Sequence, residues 1–358
     1  MPIQIVEPTL VTDAGHCAAI FNSLHRAAPD VAYELWGDRR AQAPSVEATG
    51  APLHRHFARP LRKLQALMLY RKLLRGADPL YVPTAGYFDV RAIAALAAGP
   101  LPPDKVFLYF HKWRATAERQ QAMARLASRQ PNLHLIGASR EIAGHLRAAG
   151  FAQVDTVIPI NAEWGLARPQ SEFRHLLFAG AARADKGFSH IVDLVAQLAT
   201  RGESLPFVVQ TTGDHYGRYD ERTRADLARL RAIGYAPLQT IDDTPDRVQY
   251  AQLLPGAICL QPYDRQEYAE KTSSVTFDAL IAGAPIVTLS GTPMARLVAE
   301  SGAGVVVDEA NAQTLLAAAL AIREDFAAYA ARAQTAATAL DPKRAWAPVI
   351  EAFRRGMR

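Results

Sequence analysis

A chain of 358 residues, 49% apolar and 21% charged, suits a globular protein of two ordinary domains and excludes a disordered one. Its net charge of +5 is uneven: residues 1–160 hold 19 Lys and Arg against 12 Asp and Glu, a balance of +7, and the rest holds 21 against 23, a balance of −2. No apolar run reaches the roughly 18 to 20 residues of a membrane span. The amino terminus lacks the basic start and long apolar stretch of a signal peptide. Cys17 and Cys259 have no metal-ligand spacing, so a cytoplasmic, disulfide-free protein is expected.

In chain order, an apolar strand at 3–6 leads through a polar turn containing Gly15 and His16 into a helix at 17–27. Strand, loop and helix in this order open a Rossmann-like half, although the loop lacks the G-x-G-x-x-G fingerprint of dinucleotide enzymes. A second strand is expected at 31–36. The run 57–75, FARPLRKLQALMLYRKLLR, reads as a basic helix with Pro60 in its first turn. Leu61, Leu64, Leu67 and Met68 share one side, while Leu69, Leu73 and Leu74 widen the apolar surface. Arg59, Arg62, Lys63, Arg71, Lys72 and Arg75 lie towards its ends. Two readings stay open: a core-packing helix with solvated ends, or an interfacial helix leaning on anionic lipid.

Strands at 79–83 and 106–110 follow, with a helix at 90–98 between them. His111 stands at the carboxyl end of the second, where parallel sheets place their ligands. A strand at 133–138 passes through Ser139 into a helix at 140–148, and a strand at 154–161 ends in IPIN. After a linker at 162–174, a strand at 176–179 precedes GAARADKGF (180–188) and a helix at 190–199. This small-residue turn carries Arg183, Lys186 and Gly187, and forms a phosphate-friendly corner.

A strand at 207–210 ends in a turn holding Gly213; helices at 219–233 and 245–253 flank a strand at 237–241. An apolar strand at 257–260 then enters QPYDRQEYAEKTSSVTFDALIAG (261–283). A helix is expected to begin near Thr272 or Ser273, with Ser273 and Ser274 as N-caps. Its free N–H groups and dipole favour phosphate, and Glu270 and Asp278 bracket that terminus. Strands at 285–289 and 304–307, a helix at 296–301, an alanine-rich helix at 312–337 and a terminal helix at 342–358 complete the chain. The alternation predicts α/β architecture with parallel, doubly wound sheets.

The spacing Glu270-x7-Asp278, followed by GAPIV at 283–287, resembles the E-x7-E signature and G-x-P exit of retaining GT-B glycosyltransferases, family 4 in particular. Lys186-Gly187 resembles that family's G-R-x4-K-G loop, with Ala181 in the arginine's place and Arg183 two residues later. His111-Lys112 resembles its His-Asp pair, and IPIN its hinge strand. The resemblance implies two Rossmann-like domains facing a cleft: an acceptor domain at 1–160, a donor domain at 161–340, and a helix at 341–358 returning to the first.

It implies sugar transfer from a nucleotide-diphosphate sugar to a glycan or lipid-linked acceptor, with retention and without metal or other cofactor. Glu270 would face the donor sugar, with His111 and Lys186 as its catalytic companions. Arg183, Lys186, Gly187, Gly213, Thr272, Ser273, Ser274 and Asp278 would bind the donor, Asp278 through the ribose. Gly15 and His16 would lie on the acceptor side. The basic first half adds an expected contact with an anionic membrane at its inner face, while no nucleic-acid module is visible. A GT-B epimerase or hydrolase, and a non-catalytic sugar-nucleotide or polysaccharide-binding subunit, are the competing readings.

Overall fold

The computed structural model describes residues 1–13, 16–158, 169–213 and 219–358, without the side chain of His16. Two compact units divide the chain: Met1–Asn161 with Leu340–Arg358, and Ala162–Ala339.

The first unit is built from β1 (Ile3–Val6), α1 (His16–Ala27), β2 (Tyr33–Asp38), α2 (Pro44–Glu47), β3 (Leu53–Phe57), α3 (Arg62–Arg75) and β4 (Leu80–Val82). It continues with α4 (Tyr87–Leu96), β5 (Val106–Phe110), α5 (Ala117–Arg129), β6 (His134–Gly137), α6 (Arg140–Ala148) and β7 (Gln153–Thr156). Its seven strands run in the order β3-β2-β1-β4-β5-β6-β7, and every pairing is parallel. Helices cover both faces of such a sheet, so its central strands must be apolar throughout. The five residues of β5, VFLYF, are accordingly all buried.

The second unit contains β8 (His175–Phe178), α7 (Phe188–Arg201), β9 (Phe207–Gln210), α8 (Glu221–Ala232), β10 (Leu238–Ile241), α9 (Arg247–Gln252) and β11 (Ala257–Gln261). It ends with α10 (Ser274–Ile281), β12 (Ile286–Leu289), α11 (Pro293–Ser301), β13 (Gly304–Val307), α12 (Ala312–Glu324) and α13 (Phe326–Thr338). Six parallel strands run β10-β9-β8-β11-β12-β13. In each sheet the strand order reverses once, between β1 and β4 and between β8 and β11. Such reversal points leave a crevice outside the carboxyl ends of the strands.

The last helix, α14 (Pro342–Gly356), belongs to the first unit. Trp346 is fully buried there, donating from Nε1 to Ser23 Oγ at 3.0 Å and packing its ring against Tyr81 and Tyr109. Phe353 meets Phe107 edge-on at 4.5 Å between centroids.

Several local expectations change. Residues 53–57 form an edge strand that the pattern LHRHF conceals, because an edge tolerates polar side chains on both faces. Phe57 therefore ends β3, and α3 starts only at Arg62, after the turn containing Pro60. Residues 117–129 add a helix, capped by Thr116, whose hydroxyl accepts from Arg119 N–H. The alanine-rich run is two helices, broken where Asp325 leaves the helical region at φ −126°, ψ 41°. The final residues of the IPIN segment lie outside the described residues.

Candidate functional site

The reversal between β8 and β11 gathers most of the expected donor residues of the second unit. The chain leaves β8 at Gly180, whose φ of 92° is open to glycine at little cost. Gly180 N–H donates to Gln210 Oε1 at 2.7 Å, and Ala182 N–H donates to the Thr212 carbonyl at 2.8 Å. These bonds set the β8 loop against the end of β9, one residue before Gly213.

Residues Ala184–Lys186 then form a single 3-10 turn, ended by Gly187 in the left-handed region at φ 72°, ψ 30°. A Cβ at Gly187 would overlap the carbonyl oxygen of Pro262, just beyond β11. Asp264 N–H also donates to the Asp185 carbonyl at 2.9 Å. The loops after the two strands are thus packed backbone to backbone, and glycine at 187 is a condition of that contact.

The Lys186 side chain folds back over Gly180, so that a Cβ there would collide with Nζ and touch Val275 Cγ2 at 3.5 Å. Val275 lies in the first turn of α10, which brings the ammonium to that helix's amino terminus. Nζ stands 5.7 Å from the centre of the Tyr263 ring. Among the described residues it has no hydrogen-bond partner. Burial, reinforced by the positive Arg183, pulls its pKa down to about 8.

Arg183 is engaged differently. Its guanidinium binds both oxygens of Asp185, at 2.9 and 2.8 Å, and donates to Tyr268 Oη at 3.2 Å. Tyr268 in turn stacks obliquely on Tyr263, 4.7 Å away.

Ser273 precedes α10 in extended conformation but does not cap it. Its hydroxyl lies 3.4 Å from Tyr263 Oη instead, and Thr276 Oγ1 donates to Gln261 Oε1 at 2.7 Å. The expected Ser273 cap is therefore absent, because its hydroxyl faces Tyr263 of the loop after β11. Without a side-chain cap, the N–H groups of Ser274 and Val275 are left to a ligand, while Thr276 N–H donates to the Ser273 carbonyl at 3.1 Å.

Ser274 is exposed on that turn. Asp278 lies one turn further along the same face, and its Oδ2 accepts from Tyr250 Oη of α9 at 3.2 Å. Burial raises its pKa to about 7, and the tyrosine bond only partly offsets this. Glu270 and Thr272 are half-buried in the loop leading to α10. Tyr250, Tyr263 and Tyr268 escaped the sequence reading; only their place beside the charged positions could have marked them.

In the first unit, His111 follows β5 at the carboxyl edge of the sheet and is half-buried. Gly15 lies outside the described residues; His16 opens α1, and nothing is described of its side chain. The reversal between β1 and β4 is occupied by a residue the sequence reading passed over, Glu7. Its carboxylate, 1% exposed, accepts from Thr9 N–H at 3.1 Å, Thr9 Oγ1 at 2.6 Å and Thr84 Oγ1 at 2.6 Å. Burial raises its pKa despite those donors.

No protein-family model matches the chain, and no curated protein matches its sequence. Solved structures do match its fold. HepE from Anabaena, in complex with UDP and glucose, superposes with a TM-score of 0.71 at 13% identity, covering 99% of both chains. A glycosyltransferase from Rickettsia africae gives 0.73 at 10% identity, covering 100% of this chain and 98% of that one. Sucrose-phosphate synthase from Thermosynechococcus elongatus gives 0.69 at 13% identity, over 99% and 98%. With its seven- and six-stranded parallel sheets, the chain has the α/β fold of these proteins, the GT-B fold.

Proposed function

We propose that the chain is a glycosyltransferase that takes a hexosyl group from a nucleoside-diphosphate sugar, with the second unit binding the donor and the first the acceptor. The observation that carries this reading is Lys186: a cation without a hydrogen-bond partner among the described residues, held at the uncapped start of α10. An ammonium and a set of helix N–H groups meeting at a sheet's reversal point are suited to a diphosphate. HepE, of similar fold, was crystallised with UDP and with UDP-glucose.

The chemical demand of such a transfer is leaving-group departure. The diphosphate gains negative charge as the anomeric carbon becomes oxocarbenium-like. Lys186 and the α10 N–H groups would stabilise that charge without reorganising, and would do so without a metal. Asp278, on the face of Ser274, would accept from the ribose hydroxyls. Glu270 would orient the sugar, and His111 would act at the acceptor. The spacing Glu270-x7-Asp278 supports family 4 and retention of anomeric configuration. The acceptor would be a glycan or a lipid-linked sugar.

Thermal-shift and calorimetric titration with UDP, GDP, ADP and their sugars tests this. One base should stabilise the protein, by about 2.7 kcal/mol at a hundredfold excess over Kd. Lys186→Ala should weaken that binding about tenfold or more. If no nucleotide binds, or the variant binds as well as the native chain, the donor site is misplaced. Transfer is then assayed as sugar release from the bound nucleotide with and without glycan acceptors. Release that ignores the acceptor would mark a hydrolase instead.

A further inference from the structure

The helix α3 carries two apolar stripes, and the fold uses only one. Ala66, Leu69, Tyr70 and Leu73 are buried against the sheet of the first unit. Leu61, Leu64 and Met68, on the other side, stand 54%, 58% and 66% exposed. They are three of only five large hydrophobic residues exposed to this degree among the described residues. Leu67, one step round from Leu64, lines a groove of about 500 Å³ walled by Tyr87 and Phe88 of α4 and Leu126 of α5. Exposed apolar rows continuous with an apolar groove are a usual mark of an interaction surface.

The charge around this row is of one sign. Arg59, Arg62, Lys63, Arg71, Lys72 and Arg75 are all exposed, and none forms an ion pair among the described residues. No Asp or Glu occurs between Glu47 and Asp78. Arg91 and Arg129 add two cations at the groove. Lys63 and Lys72 lie 5.7 and 5.5 Å from the Phe88 and Trp36 ring centres, so their stems run along apolar surface.

We propose that this face of α3 docks on a bilayer containing anionic phospholipid. Leu61, Leu64 and Met68 enter the boundary between headgroups and acyl chains, and the six cations meet the headgroup phosphates. The charge argues for this occupant over the alternatives. A second copy meeting this face about a two-fold axis would set like charges against each other. The centre of a protein interface is depleted in lysine, which this face carries at 63 and 72. An apolar row flanked by cations is the pattern of a helix lying in a membrane interface.

The test is co-sedimentation of the full chain with phosphatidylcholine vesicles and with the same vesicles containing phosphatidylglycerol. Binding is expected only with the anionic lipid, and should be lost at about 0.5 M salt. Arg62→Gln/Lys63→Gln/Arg71→Gln should lower partitioning by about fivefold per charge. Leu61→Ser/Leu64→Ser/Met68→Ser should lower it by about tenfold or more with an unchanged melting temperature. The proposal is overturned by absence of binding, by equal binding to neutral vesicles, or by an apolar variant that binds normally. It also fails if that variant instead converts an oligomer to a monomer, which would make the occupant a second copy. UDP titration of both variants keeps the two proposals apart, because α3 contributes nothing to the donor residues.

Discussion

An ammonium with a pKa of about 8 titrates in a range where an ordinary lysine stays charged. If Lys186 binds the diphosphate, its contribution to affinity is constant below pH 8, where the side chain is protonated. It falls above pH 8, by at most about tenfold per unit. Lys186→Arg should abolish that decline, since guanidinium does not lose its proton in this range. Nucleotide titration at several pH values decides it, and a profile flat to pH 10 in the native chain would remove Lys186 from the ligand.

Asp278 gives a prediction of opposite kind. Its folded pKa of about 7 lies above the ordinary 3.8, so between those values the folded chain holds a proton that the unfolded chain has released. Stability from this residue is therefore full below about pH 4 and is lost as pH rises to 7. Asp278→Asn keeps an acceptor for Tyr250 and removes the charge. Its melting temperature should exceed the native one by roughly 2–6 °C at pH 8 and converge with it below about pH 4. The same substitution, or Asp278→Ala, should raise the nucleotide Kd about tenfold if the carboxylate holds the ribose. A more stable but weaker-binding variant would identify a residue kept for function.

At the scale of elements, the turn ending in Gly187 fixes where Lys186 stands. Gly187 and Gly202 share a left-handed backbone, at φ 72° and 64°, but a Cβ at 202 meets nothing within 4 Å, whereas one at 187 overlaps Pro262. Gly202→Ala should therefore cost about 1 kcal/mol of backbone strain alone. Gly187→Ala should cost about 2–4 kcal/mol and weaken nucleotide binding as well, because the β8 loop must move off the β11 loop. Denaturant unfolding of both variants measures the difference; equal losses would show that the Pro262 contact carries no weight.

The same contrast shows what the sequence makes legible. Buried parallel strands announce themselves as unbroken apolar runs, as at 106–110 and 257–260, and Ser139 does cap α6, accepting from Ile142 N–H. Ser273 has the same chemistry but is claimed by Tyr263, a partner supplied by tertiary folding. Local propensity could not foresee that competition. Lys186-Gly187 was readable as a pair, yet its folding back onto Gly180 and α10 depends on three separated segments. Glu7 was not readable, because only the pairing of β1 with β4 brings Thr84 to it. For α3 the period was clear; which of two apolar stripes faces the sheet was settled only by the register of packing.

For the whole molecule, the first unit is closed by residues distant in sequence from its sheet. Among the described residues no helix is long and apolar enough to cross a membrane. Trp346 of α14 reaches Ser23 of α1 across 323 positions, and its ring sits against Tyr81 of β4 and Tyr109 of β5. Removing so large a buried ring leaves a cavity and an unpaired hydroxyl. Trp346→Ala should therefore cost about 3–5 kcal/mol. The loss belongs to the unit that α14 completes. Hydrogen exchange followed by mass spectrometry should show faster exchange in α1, β4 and β5, with β8, β9 and β11 unchanged. Nucleotide, in the native chain, should protect the complementary set: 180–188, 211–213 and 262–278. The two patterns together test whether donor binding and the closure of the first sheet are properties of separate units. Should Trp346→Ala loosen β8 and β11 as much as β4 and β5, the two cores unfold as one, and nucleotide affinity should fall with them.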